Sequence, residues 1–222
     1  MTTQKQDGAT TRALQGLGDP RPSVRLRAAL AVGTSPDPRF VGMLVERCAV
    51  ETEFHVRDML TWALTRHPAP VTVPVLVEEV RAERAQARSQ ALHTLSKIGD
   101  RRAWPAITRK LLSDADDEVA RSAWRAAVVL VPEGEEHELA AVLSTQLGRG
   151  ERETQLSLSR ALMALGDTVL PVVHAARTDP DPRVRAHAIA TDRLVRDPDS
   201  RFESAIEEAK RVVALGVTGQ EG

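Results

Sequence analysis

The feature that most limits how this chain can fold is a phrase that it repeats. Asp19-Pro20-Arg21-Pro22-Ser23-Val24-Arg25 returns as Asp179-Pro180-Asp181-Pro182-Arg183-Val184-Arg185. The pattern D-P-x-P-x-V-R therefore stands near both ends of a 222-residue chain. Looser copies lie between, at Val56-Arg57, Ala87-Arg88, Val119 with Arg121, and Thr154-Gln155. With residues 24, 56, 87, 119, 154 and 184 as anchors, successive spacings are 32, 31, 32, 35 and 30. A period of this size marks an array of small units, none of which buries its apolar face alone.

Four residues past the anchors come Ala28, Leu60, Ala91, Ala123, Leu158 and Ala188. Eight past come Val32, Leu64, Leu95, Ala127 and Leu162, with Asp192 as the exception. Positions four and eight apart share one face of a helix, so each unit opens with an amphipathic helix. The Asp-Pro turn before it suits a helix start, because proline has a fixed φ and no N–H to leave unpaired. A second helix follows in each unit. Its apolar stripe is Val41, Leu44 and Cys48 in the first, Val73, Leu76 and Val80 in the second, and Ala103, Trp104, Ile107 and Leu111 in the third. Gly99-Asp100 and Gly166-Asp167 mark turns between paired helices, since glycine commonly follows a helix C-terminus. The run from Val71 to Val80 is rich in strand formers, but its place in the repeat predicts helix. The pattern predicts an all-α chain, an α/α solenoid of about six helix pairs over residues 12–215. A polar N-terminal segment, 1–11, precedes it, and a flexible C-terminal tail, 216–222, follows.

The phrase x-V-R-x-x-A-x-x-A/L, with the following G-D, resembles HEAT repeats, in particular the short bacterial HEAT-like type also seen in phycobilin lyase proteins. The resemblance covers about residues 12–215. It implies that the arginine after each anchor (Arg25, Arg57, Arg88, Arg185) bonds an acidic residue or a carbonyl in the adjacent turn, forming a ladder between repeats. The fifth repeat breaks the phrase and follows the longest spacing, so its preceding loop, Gly148-Arg149-Gly150-Glu151, is expected to be irregular. Function does not follow from this likeness, because the family includes scaffolds, lyase subunits and nucleic-acid enzymes.

Composition narrows the partners. Hydrophobic residues make up 42% of the chain and aromatics 3%, with no Tyr, so the core is aliphatic. Lys plus Arg number 30 against 31 Asp plus Glu, a formal net charge of -1, which supplies no global field to gather polyanions. Lysine occurs only as Lys5, Lys97, Lys110 and Lys210. The single cysteine, Cys48, excludes an intrachain disulfide and falls on an apolar stripe, where a buried, inert thiol is expected. The N-terminus lacks an apolar signal region, and no stretch of ~18 apolar residues exists. The expected setting is cytoplasmic, with no membrane.

A search for chemistry finds little. The histidines are His55, His67, His93, His137, His174 and His187, none in metal-ligand spacing. His137-Glu138 begins a zinc motif that fails at Ala141. No C-x-x-C, G-x-S-x-G, G-x-G-x-x-G or phosphate loop appears. The paired carboxylates Glu78-Glu79, Asp116-Asp117, Glu135-Glu136 and Glu207-Glu208 diverge by about 100° on a helix and read as solvated surface. No catalytic residue, metal or cofactor is expected. Alkylpurine DNA glycosylases share the HEAT-like plan and use Trp with Asp in a basic concave groove. Asp58 and Trp62 stand at i and i+4 here, with Trp104 and Trp124 further on. The row facing such a groove mixes Arg39, Glu46, Val71, Glu78, Arg102 and Arg109, whereas phosphate tracking needs a row of cations.

Trp104 replaces Val41 and Val73 on the second-helix stripe and is expected in the core, with Trp124 flanking it. Trp62 lies six residues past its anchor, about 150° from the centre of the stripe, and is expected on the convex side. Equivalent positions hold Leu30, His93, Arg125, Arg160 and Ala190. Two partner-binding patches follow: Arg102 and Arg109 with Glu78 on the concave side, and Trp62 with His93 on the convex side. The expected function is a scaffold or adaptor that binds another protein. A nucleic-acid-binding or DNA-repair protein is the alternative, and a bilin-lyase-like subunit the further one.

Overall fold

The computed structural model describes residues 15–197 and 202–218, and these contain helices and turns with no strand. They fall into two compact units, the first ending at Ile107 and the second beginning at Thr108. The expected N-terminal segment, 1–11, lies outside the described residues. The expected tail, 216–222, begins inside a helix that continues to Thr218, and its remainder also lies outside.

In the first unit, α1 (Pro22–Thr34), α3 (Phe54–Arg66) and α5 (Ala85–Ile98) carry the first three anchors. Between them run α2 (Val41–Cys48) and α4 (Ala69–Glu79), and a 3-10 run, Arg101–Ala106, follows α5. Helix α1 packs on α3 and α3 on α5, while α2 packs on α4, giving two layers. The second unit repeats the plan. Here α7 (Asp117–Leu130), α9 (Arg152–Met163) and α11 (Pro182–Arg196) carry the anchors. The intervening helices are α6 (Arg109–Leu112), α8 (Glu136–Ser144) and α10 (Leu170–Ala176), and α12 (Phe202–Thr218) comes last. Neighbours again stack, α7 on α9, α9 on α11, and α8 on α10.

The stripes inferred from spacing are the buried ones. Ala28, Leu60, Ala91, Ala123, Leu158 and Ala188 are all buried, as are Val32, Leu64, Leu95, Ala127 and Leu162. The second-helix residues Val41, Leu44, Cys48, Val73, Leu76 and Val80 are buried with them. Residues 71–79 are helical, as the repeat predicts, despite Pro74 inside α4. Pro22 and Pro182 open α1 and α11 at positions where a missing N–H costs no helical bond. Gly99 ends α5 with φ 70°, a left-handed conformation that a side chain disfavours.

The repeated arginines bond carbonyls of the adjacent turn, but among the described residues the expected ladder between repeats is seen at Arg25 and not at Arg57 or Arg185. Nη1 of Arg25 donates to the carbonyls of Asp19 and Pro20. Nη1 of Arg57 does so to Glu51 and Thr52, that of Arg88 to Ala82 and Glu83, and that of Arg185 to Asp179 and Pro180. Each guanidinium thus closes the turn before its own helix, at the carbonyls six and five residues back. Arg25 also forks onto Glu51 in the next repeat's turn, at 2.6 and 2.7 Å, and that contact joins repeats.

Three placements differ from expectation. The second helix of the third repeat is broken: a 3-10 run is followed by the non-helical Ile107, the extended Thr108 and then the short α6. Pro105 lacks an N–H and disfavours the helical conformation of Trp104 before it; α4 accommodates Pro74, but here the chain takes a 3-10 run in place of an α-helix. Trp104 is consequently half-buried, and the large core aromatic is Trp124, fully buried, with Nε1 donating to the Leu112 carbonyl at 2.8 Å. Finally, α12 lies along α11 through Ala186, Ala190, Leu194, Phe202, Ala205, Ile206 and Ala209, with Leu156 and Met163 of α9 packed alongside. It therefore covers the apolar edge of the first-helix layer.

Candidate functional site

Of the residues that the sequence proposes for binding, three are engaged in ion pairs. Glu78 accepts from Arg81 at 2.7 Å. Arg102 folds back onto Asp100 at the start of the 3-10 run, and its hydrogen bonds hold the Asp100 carboxyl down at about 2. Arg109 pairs with Glu138 at 2.9 Å. Glu78 and Arg102 belong to the first unit and Arg109 to the second.

The second patch has a built feature. Trp62 on α3 is 38% exposed, and its ring lies over Gly33 of α1. A Cβ at Gly33 would stand 2.3 Å from the ring atom Cζ3 and 2.9 Å from the Ala63 Cα. The missing side chain is therefore what lets the indole lie against the backbone of α1. One turn before Gly33 comes Leu30, 46% exposed, at the position in α1 equivalent to Trp62 in α3. His93 holds the same position on α5 and is half-buried. Asp58 and Arg66, one turn to either side of Trp62, are exposed. The result is an apolar strip with an aromatic ring fixed on one face and charges along its flanks.

A cleft lies in the second unit and was not foreseen from the sequence. The loop before α9 and the first turns of α9 and α11 face α12 across a cleft of about 800 Å³. Its apolar lining includes Pro182, Ala186, Ile206 and Val213. Its charged lining is Arg152, Arg183 and Lys210 with Glu151 and Glu207. The only sequence signal was the irregular Gly148–Glu151 loop, since the wall formed by α12 depends on long-range packing.

The groups with the largest titration shifts serve the framework. His187 is fully buried: Nδ1 accepts from the Gly148 N–H at 3.0 Å, and Nε2 lies 3.0 Å from both the Gln155 carbonyl and Ser159 Oγ. Burial holds this imidazole neutral, with its pKa pushed down to about 4. Glu51 is 0% exposed; burial alone would raise its pKa, but bonds from Arg25, the Glu53 N–H and Arg47 keep it at about 2. Burial pushes the Cys48 thiol up to about 12, so it is not a nucleophile near neutrality. Among the described residues no three His, Cys, Asp or Glu side chains gather as a metal set, and no helix is long and apolar enough to cross a membrane.

No protein-family model matches the chain, and no curated protein matches it. Two engineered proteins of known crystal structure, targets OR329 and OR366 of the Northeast Structural Genomics Consortium, are similar in structure. The first is 20% identical, with a TM-score of 0.48, over 89% of this chain and 96% of that one. The second is 15% identical, with a TM-score of 0.47, over 83% and 97%.

Proposed function

We propose that this chain is a HEAT-type repeat scaffold that binds another protein through the exposed face of its first helices, centred on Trp62. The observation that carries this reading is the indole seated on Gly33 beside exposed Leu30. A large ring held in place in the free protein loses little freedom on binding, and tryptophan is enriched among interface hot spots. The paired states of Glu78, Arg102 and Arg109 favour this face over the other patch, because each of those charges must give up a partner before meeting a new one. The near-balanced charge of the chain favours a protein over a polyanion.

The test is quantitative affinity capture with the unaltered chain, Trp62→Ala and Leu30→Glu, each checked for retained helicity. The reading expects the same proteins to be lost from both variants. Equal recovery by all three chains would overturn it.

A further inference from the structure

The cleft in the second unit has its own charge pattern, separate from the Trp62 face. Arg152 is held by Glu203, and Lys210 by Glu207 at 3.0 Å. Arg183 gives one N–H to the Gly150 carbonyl at 3.3 Å and has no carboxylate partner among the described residues. Glu151, at the start of α9, makes no side-chain cap bond and has no cationic partner among the described residues. Two lining charges of opposite sign are thus left over, on the rim of a cleft with an apolar floor. A volume of about 800 Å³ is within the range of ligand sites and holds several side chains.

We infer that this cleft binds a short apolar peptide segment that presents one carboxylate to Arg183 and one ammonium to Glu151. A purely apolar occupant would strip water from both charges and return nothing to them. An occupant with a single charge would satisfy one and desolvate the other. A peptide with both charges and aliphatic side chains matches floor and rim together. Both residues stand on exposed surface at helix starts, so their side chains are not needed for the core.

The probe is the tripeptide Leu-Leu-Leu in three forms: free termini, N-acetylated and C-amidated. Each is titrated into the full chain and followed by amide shifts of residues 150–155, 183–186 and 206–214. The form with free termini should bind tightest. Arg183→Gln should weaken the free and acetylated forms about tenfold, the scale of one charge-assisted hydrogen bond, and leave the amidated form unchanged. Glu151→Gln should weaken the free and amidated forms and spare the acetylated one. No saturable shifts at these residues, equal binding of the three forms, or an equal loss for all three in either variant would each overturn the assignment.

Discussion

The guanidinium of Arg149 reaches back from the loop before α9 to the carbonyl of Asp114, the acceptor six residues before Ala120. In four other repeats that acceptor is served by an arginine on the helix itself, but Ala120 has no donor to offer. Arg149 also bonds Asp117 at 2.9 Å and Gln146 at 3.1 Å, and it lies 6.0 Å from the centre of the Trp124 ring. The irregular loop thus supplies the bond that the fourth repeat lacks. Arg149→Ala should destabilise the second unit by about 2–3 kcal/mol, the scale of a charged, part-buried hydrogen-bond group. Arg149→Lys should recover less than half of that, since an ammonium cannot serve three acceptors in a plane. Urea denaturation checks both.

His187 predicts the acid limb of stability. Its folded pKa, about 4, lies below the ordinary value of 6.5, so between these values the unfolded chain binds the extra proton. The contribution is complete above pH 6.5 and declines as pH falls toward 4, reaching a loss of about 2 kcal/mol by pH 5. Protonation also puts a hydrogen on Nδ1, where the Gly148 N–H already points. His187→Gln should lower stability at pH 7.5 and flatten the slope between pH 6.5 and 5. An unchanged slope would mean that another group is responsible.

Glu51 binds two guanidinium groups with no exposure of its own. Its removal leaves Arg25 largely buried and unpaired, the costly half of a broken ion pair. Glu51→Ala should therefore cost about 3–5 kcal/mol, measured as a fall in the denaturation midpoint.

Gly33→Ala tests the seat of Trp62 directly. The added methyl cannot coexist with the ring at 2.3 Å or with the Ala63 Cα at 2.9 Å, so the indole must swing outward and α3 must shift away from α1. A cost of about 1–3 kcal/mol is expected, with a red shift of tryptophan emission as the ring meets water. Trp62→Phe should abolish that shift, because the atoms nearest a Cβ at Gly33 belong to Trp62 and Ala63 and not to Trp104 or Trp124.

Ala123 lies on the α7 stripe with no exposure. Ala123→Glu buries an unpaired carboxylate at a cost of several kcal/mol, comparable to the stability of a whole domain. Circular dichroism should show a lost or sharply lowered melting transition.

The parts of the fold that were legible in the sequence are those that depend on one helix at a time. The stripe from Ala28 to Ala188 follows from spacing, and the exposure of Trp62 follows from rotation about the helix axis. The arginine bonds reach only five or six residues back, so a local phrase encodes them. Relations that cross repeats were hidden. Nothing local links Arg149 to Asp114, Gly33 to Trp62, or α12 to the apolar edge of α11. Asp192 looked like a fault in the stripe, yet it is buried against Arg177, Arg196 and His174, side chains from two helices and the turn after one of them. The break at Pro105 carried a visible signal, since proline inside a proposed helix argues against it, and the apolar stripe concealed that warning.

The way α12 lies across Ala186, Ala190 and Leu194 has a consequence for assembly. A stack of similar layers has no intrinsic length: any layer that offers an apolar edge invites another, from its own chain or from a neighbouring molecule. Here the edge of α11 meets a helix on which Glu207, Glu208, Lys210 and Arg211 are exposed, with Glu208 paired to Arg193 of α11 and Glu207 and Lys210 beside the cleft. Growth in that direction is opposed where these charges border the covered edge, while Val212 and Leu215 stay exposed further along α12. A chain cut before Phe202 would restore the template, and such molecules should polymerise end to end at concentrations where the intact chain does not.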